Sequence, residues 1–145
     1  MFLFWGKTKA TYELIKWKGK TYFLLDTENS VLLGGASLSK ITKGLAGSAT
    51  LGYWMGVHHA GKGYMSRGSA RLLDHAFDDL KLNRVEAAAL PTNKRSIHLL
   101  KKLGFEKEGF ARQYLEINGV AEDHFLFACL KPGTNGTGKH SLSVV

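Results

Sequence analysis

Cysteine is almost absent from this sequence. Cys129 stands alone, so no disulfide can form within the chain, and with six irregularly spaced histidines it makes no zinc-binding pattern. A reducing, cytoplasmic setting without a metal cofactor is the expectation. Proline is nearly as scarce, with only Pro91 and Pro132, which excludes proline-rich and fibrous architectures. Long apolar runs are missing too. Met1 to Trp5 opens the chain with apolar residues, but Gly6, Lys7 and Lys9 interrupt it well short of a signal-peptide core or a membrane span. No targeting signal and no membrane partner are expected.

What is present is ordinary globular material, 145 residues with 44% hydrophobic and 11% aromatic content, enough for one domain with a core. That domain is placed at residues 1–130. Lys131 to Val145, rich in Gly, Ser and Thr, reads as a flexible tail. The net charge of +8 suits an anionic partner such as a phosphorylated cofactor, a ribosome or an RNA. The lysines and arginines are scattered, however, without the aromatic interleaving of a single-strand platform. A solvated basic surface accounts for them, and direct nucleic-acid binding is not expected.

Along the chain, Thr8 to Trp17 is compatible with a short helix. Thr21 to Asp26 and Val31 to Leu38 flank the turn-forming Thr27-Glu28-Asn29-Ser30 and predict a hairpin. A loop at Ser39 to Ser48 leads to a strand at Ala49 to Met55, in which Gly52 suggests a bulge or the close approach of another backbone. From Ser66 onward, Leu72, Leu73, Ala76, Phe77 and Leu80 recur at helical spacing. Arg84 to Leu90 reads as the next strand. Asn93 opens a second helix that turns Ile97, Leu100 and Leu103 inward and stops at Gly104. Two long strands, Glu106 to Ile117 and Val120 to Leu130, are joined by Asn118-Gly119, the strongest short hairpin signal.

Chemistry concentrates in two places. Gly61-Lys62-Gly63-Tyr64-Met65-Ser66 lies between a strand and a helix, where glycines let several backbone N–H groups converge and the helix adds its own unpaired amides and positive dipole end. Its spacing matches neither a P-loop nor a three-glycine dinucleotide turn, so an anion cradle and a plain turn both remain open. Pro91-Thr92-Asn93-Lys94-Arg95-Ser96 opens the second helix. Asn93 is a natural N-cap with Ser96 in the first turn, yet both stand where a strand ends, the usual place for ligands in open sheets.

These stretches, with Leu51-Gly52-Tyr53-Trp54-Met55-Gly56, Arg84-Val85-Glu86-Ala87, Leu103-Gly104-Phe105, Glu108-Gly109, Tyr114-Leu115, Ile117-Asn118-Gly119 and Asp123-His124, resemble the ribosomal-protein-alanine N-acetyltransferases of the GCN5-related class in order and spacing. The resemblance covers about Thr21 to Leu130. It implies an α/β (α+β mixed) fold, with a mostly antiparallel sheet splayed at its centre between Thr50 to Gly56 and Arg84 to Leu90, and flanking helices. It implies acetyl-CoA as cofactor, held by Met55, Gly61, Lys62, Gly63, Tyr64, Met65, Ser66 and Asn93. An amine acceptor, in this branch a protein N-terminus, would attack the thioester directly, with Asn93 and Ser96 as the catalytic residues beside the leaving sulfur. The tyrosine that many relatives carry one turn later in this helix is Leu100 here.

Three departures accompany the match. Ala60 replaces the polar residue usual before the glycine pair. Ser66-Arg67-Gly68 opens the helix, where Gly68 weakens it and Arg67 offers a phosphate contact. The resemblance also starts late, as though a first strand and helices were missing. That would leave an open sheet edge at Thr21 to Asp26 and a route to homo-oligomers. Two other functions therefore stand beside acetyl transfer: a coenzyme A-binding module without catalysis, and a basic ribosome- or RNA-associated protein. Glu86, Glu116, Asp123 and His124 are candidate general bases between which the sequence does not choose.

Overall fold

Tyr22 and Leu24 alternate with less buried neighbours, the period of a strand with one face turned inward. The computed structural model, which describes residues 2–3, 12–16 and 20–133, builds this segment into an antiparallel meander. Its strands are β1 (Phe2–Leu3), β2 (Tyr12–Lys16), β3 (Thr21–Asp26), β4 (Val31–Thr42) and β5 (Ser48–Met55). The β3–β4 turn is held by Asp26, whose carboxylate accepts hydrogen bonds from the N–H groups of Glu28 at 2.9 Å and Asn29 at 3.3 Å. Cross-strand register aligns Tyr22, Ala36 and Tyr53 in one row and Leu24, Gly34 and Met55 in the next. Paired residues share a face, so Tyr53 and Met55 project on the same side of the sheet as the buried Tyr22 and Leu24.

Four expectations are corrected here. Tyr12 to Lys16, read as part of a helix from Thr8 to Trp17, is a strand paired with β3 from Tyr12↔Asp26 to Lys16↔Tyr22. Residues 8–11 and 17 lie outside the described residues. The unpaired edge of β3 offers backbone hydrogen bonds that outweigh weak local helix preference. For the same reason Thr21 to Asp26 is no open edge: β2 covers it and β1 covers β2, which removes the ground for oligomers pairing through it. Gly52 makes no bulge. It pairs regularly with Ser37, and the irregularity lies between Ser39 and Thr42, because β4 runs to Thr42 where a loop was expected.

After β5 comes α1 (Tyr64–Asp74), continued by a π-helical turn at His75–Asp79. Leu72, Leu73, Ala76 and Phe77 are buried, as their spacing predicts. Gly68 has a packing role as well as a helix cost. A methyl group there would meet Leu24 Cδ1 at 3.4 Å, so α1 crosses β3 at this point with room for little more than a Cβ. Gly68→Ala is therefore expected to stabilise the protein by up to about 1 kcal/mol through helix propensity. Gly68→Leu should destabilise it by overpacking. Chemical denaturation of both variants checks the pair.

Strand β6 (Arg84–Ala89) buries Val85, Ala87 and Ala89 on one face. It leads to α2 (Lys94–Lys102), capped by Asn93, whose side-chain oxygen accepts from the Ser96 N–H at 3.1 Å. At the other end Gly104, at φ +94°, closes a Schellman motif: Phe105 N–H donates to the Leu100 carbonyl at 2.9 Å and Gly104 N–H to the Lys101 carbonyl at 3.1 Å. The hairpin of β7 (Glu106–Ile117) and β8 (Val120–Leu130) turns at Asn118 and Gly119, both at positive φ. The eight strands form one sheet, ordered β1-β2-β3-β4-β5-β6-β8-β7. Of the tail expected from Lys131, residues 134–145 lie outside the described residues.

Arg84 reaches across β8 to make a bidentate contact with Glu108, through Nη1 to Oε2 at 3.1 Å and through Nη2 to Oε1, and also bonds Glu86 at 3.1 Å. The hydrogen bonds from Arg84 hold the Glu108 carboxyl below its ordinary range. A lowered folded-state value stabilises the fold above the ordinary glutamate pKa of about 4.3. That contribution disappears as pH falls through the lowered value. Both side chains are substantially exposed, so Glu108→Gln should cost only about 0.5–1 kcal/mol at pH 7. The difference from the parent protein should vanish in acid, as urea unfolding across pH would read.

Candidate functional site

Strands β5 and β6 are the only parallel neighbours among the described strands, and their pairing stops early. Ser48↔Arg84, Ala49↔Val85 and Thr50↔Glu86 are in register; beyond Thr50 the strands part, while β6 stays paired with β8 as far as Ala89. The expected splay is therefore present. Edge backbone groups released by such a parting can bond an extended ligand as another strand would.

Into this opening faces the glycine turn. Gly61 at φ +80° and Gly63 at φ +81° are both left-handed, a region L side chains seldom adopt. Gly63 is the N-cap of α1 without a side-chain cap, the first turn carries no acidic residue, and the first intrahelical bond runs from Arg67 N–H to the Gly63 carbonyl at 3.2 Å. The amides of Tyr64, Met65 and Ser66 precede that bond, at the positive end of the helix dipole. Arg67 folds back so that Nη2 lies 3.9 Å from where a Cβ on Gly63 would stand. A cluster of N–H groups with a guanidinium beside it and no carboxylate nearby fits a pyrophosphate.

A cleft of about 450 Å3 joins the turn to the start of α2, within the ordinary size of a small-ligand site. Of the residues singled out from sequence, Met55 lines it from β5, and Gly61, Gly63, Tyr64, Met65 and Ser66 line it from the turn and α1. Asn93 and Ser96 line it from α2. Lys62 does not: it is exposed beside the cleft. The Met65 side chain is buried in the core, so what it presents to the turn is backbone. Ala60 lines the cleft and brings no polar group.

Several lining residues escaped the sequence reading. Tyr53 is the most consequential. Its hydroxyl is hydrogen-bonded to Ser96 Oγ and stands 3.4 Å from the Ser96 carbonyl oxygen. Burial raises the phenol above its ordinary pKa, against the opposing effect of the Ser96 bond. The available signal was its position two residues before Met55, which puts both on one strand face. Arg95, His98 and Lys102 also line the cleft. Their i, i+3, i+7 spacing on α2 marks one helix face, and none has a carboxylate partner among the described residues.

None of the candidate bases lines the cleft. Glu86 is bonded to Arg84, and Asp123 accepts from the Gln113 N–H at 2.9 Å. His124 is buried, with Nδ1 2.9 Å from the Glu122 carbonyl oxygen, and Glu116 is exposed near the hairpin turn. Among the described residues there is no group of three or more His, Cys, Asp and Glu placed to hold a metal, and no helix long and apolar enough to cross a membrane.

The chain belongs to the acetyltransferase (GNAT) domain family, whose model matches residues 4–106. It is 45% identical over 101 residues to the probable N-acetyltransferase YjcK of Bacillus subtilis, an alignment covering 70% of this chain and 56% of that protein. It is 38% identical over 112 residues to the ribosomal protein uS5-alanine N-acetyltransferase of Escherichia coli, covering 77% and 58% respectively. Among solved structures, Mycobacterium smegmatis RimJ in complex with CoA-disulfide superposes with a TM-score of 0.72 at 30% identity, over 87% of this chain and 60% of that one. The chain thus spans little more than half the length of these relatives.

Proposed function

We propose that this protein transfers the acetyl group of acetyl-CoA to an amine, with the α-amine of a protein N-terminus as the acceptor class. The observation that carries the reading is a single cleft joining the glycine turn, the parted strands and the Asn93–Ser96 start of α2. The backbone of residues 61–66, with Arg67, would hold the pyrophosphate, and the freed edge of β5 near Met55 would take the amide-bearing arm. Bound there, acetyl-CoA supplies an activated thioester. N–H groups of β5 would stabilise negative charge on the carbonyl oxygen, Asn93 fixes the start of α2, and the Ser96 hydroxyl in the cleft would serve the sulfur as hydrogen-bond donor. None of the four candidate bases lines the cleft, and the acceptor's proton would leave to water or to a side chain of the cleft.

The protein-terminus acceptor is supported by the likeness to the E. coli uS5-alanine N-acetyltransferase, and the cytoplasmic setting by the lone cysteine. Purified protein should release free thiol from acetyl-CoA in the presence of peptides with free N-termini, with acetyl-peptide seen by mass spectrometry. Polyamines serve as the alternative acceptors. Coenzyme A binding without transfer to any amine would assign the non-catalytic module instead. RNA retention that falls steeply with salt and ignores coenzyme A would assign the nucleic-acid reading.

A further inference from the structure

We infer that Tyr53 is the positioning residue for Ser96: its hydroxyl donates to Ser96 Oγ, so that the serine's own hydrogen is turned into the cleft toward the cofactor sulfur. The inference rests on the acetyl-transfer reading above and adds a residue to it. The two hydroxyls are hydrogen-bonded although 43 residues separate them in sequence. Both line the cleft, Ser96 is 9% exposed, and its Oγ has no second hydrogen-bond partner among the described residues.

The direction of the bond follows from what each group can do. Half-buried and kept protonated, the phenol has one hydrogen to place, and its alternative acceptor, the Ser96 carbonyl, stands at 3.4 Å, at the weak end of hydrogen-bond geometry. Ser96 Oγ is the better acceptor. A serine in the first turns of a helix otherwise tends to spend its hydrogen on a backbone carbonyl one turn back. Tyr53 fixes Oγ from the strand side and leaves the hydrogen for the ligand. No bond is made or broken by Tyr53 itself. A thiolate leaving group there would meet the oriented O–H of Ser96, with Tyr53 only holding the serine oxygen in place.

Tyr53→Phe keeps the ring and removes the hydroxyl, and two readouts are expected to move. The pKa of the bound coenzyme A thiol, read from thiolate ultraviolet absorbance against pH, should rise toward that of free coenzyme A. With acetyl-CoA, kcat should fall about tenfold while KM stays within about twofold, as expected for a group that orients a catalytic donor. The variant pairing Tyr53→Phe with Ser96→Ala should lose no more than Ser96→Ala alone, because the two act as a unit. An unchanged thiol pKa and kcat in Tyr53→Phe, or independent multiplying losses in the double variant, would overturn the inference. If the parent protein binds coenzyme A but acetylates nothing, the transfer reading fails while the thiol titration still decides the role of Tyr53; if it does not bind coenzyme A, both fall.

Discussion

Gly63→Asp is expected to abolish coenzyme A binding while leaving the fold intact. Gly63 sits at φ +81° as the N-cap of α1, with nothing but Arg67 Nη2, at 3.9 Å, near the position of a new Cβ. There is space for the side chain, and aspartate is among the residues that enter the left-handed region at modest cost. What changes is charge. A carboxylate about 4 Å from a pyrophosphate oxygen is worth about 4 kcal/mol of repulsion at an effective dielectric of about 20. That is roughly a thousandfold in affinity, and a salt link from the new carboxylate to Arg67 would occupy the guanidinium as well. Gly63→Asn separates charge from backbone: it tolerates the same φ, carries no charge, and should stay within about tenfold of the parent protein. Calorimetric titration with coenzyme A, alongside thermal unfolding, reads both. Unchanged affinity in Gly63→Asp would mean that the turn is a plain turn and the cofactor lies elsewhere.

The second large effect is on stability. Leu100 is fully buried on α2, a helix of nine residues, and isolated helices that short are marginal in water. Packing of the inward face therefore holds α2 against the sheet, and with it the position of Asn93 and Ser96 at the cleft. Leu100→Ala should cost about 3 kcal/mol from lost burial and the cavity left behind, lowering the melting temperature by about 10 °C. The loss should also reach the site. Saturating coenzyme A at about 100 times its dissociation constant adds about 2.7 kcal/mol to a protein whose site is intact. A smaller ligand-induced shift in Leu100→Ala than in the parent protein would show that α2 packing sets the cleft. An equal shift would separate the two.

These two sites differ in how much of them the sequence displays. Gly61 and Gly63, the Asn93 cap, the Gly104 stop and the Asn118-Gly119 turn were all legible, because each is a local backbone requirement that a few residue types satisfy. The registers that depend on partners were not. Tyr12 to Lys16 has no strong preference of its own, and the exposed edge of β3 makes it a strand. Gly52, read as a bulge or a point of close backbone approach, is a regular ladder residue opposite Ser37. Gly35, whose added Cβ would lie 2.6 Å from Trp54 Nε1, has its small size explained only by the indole lying across it.

The lone cysteine, the turn glycines and the helix caps were thus determined by the sequence itself, since they follow from covalent chemistry and from φ values only certain residues reach. The tertiary structure alone decided that β5 and β6 part after Thr50 and that Lys62 stands outside the cleft. It also decided that Tyr53 reaches Ser96 across 43 residues of chain. Such contacts are made by packing between elements that no local pattern encodes, and they place a hydroxyl pair where the glycine turn supplies only a binding surface.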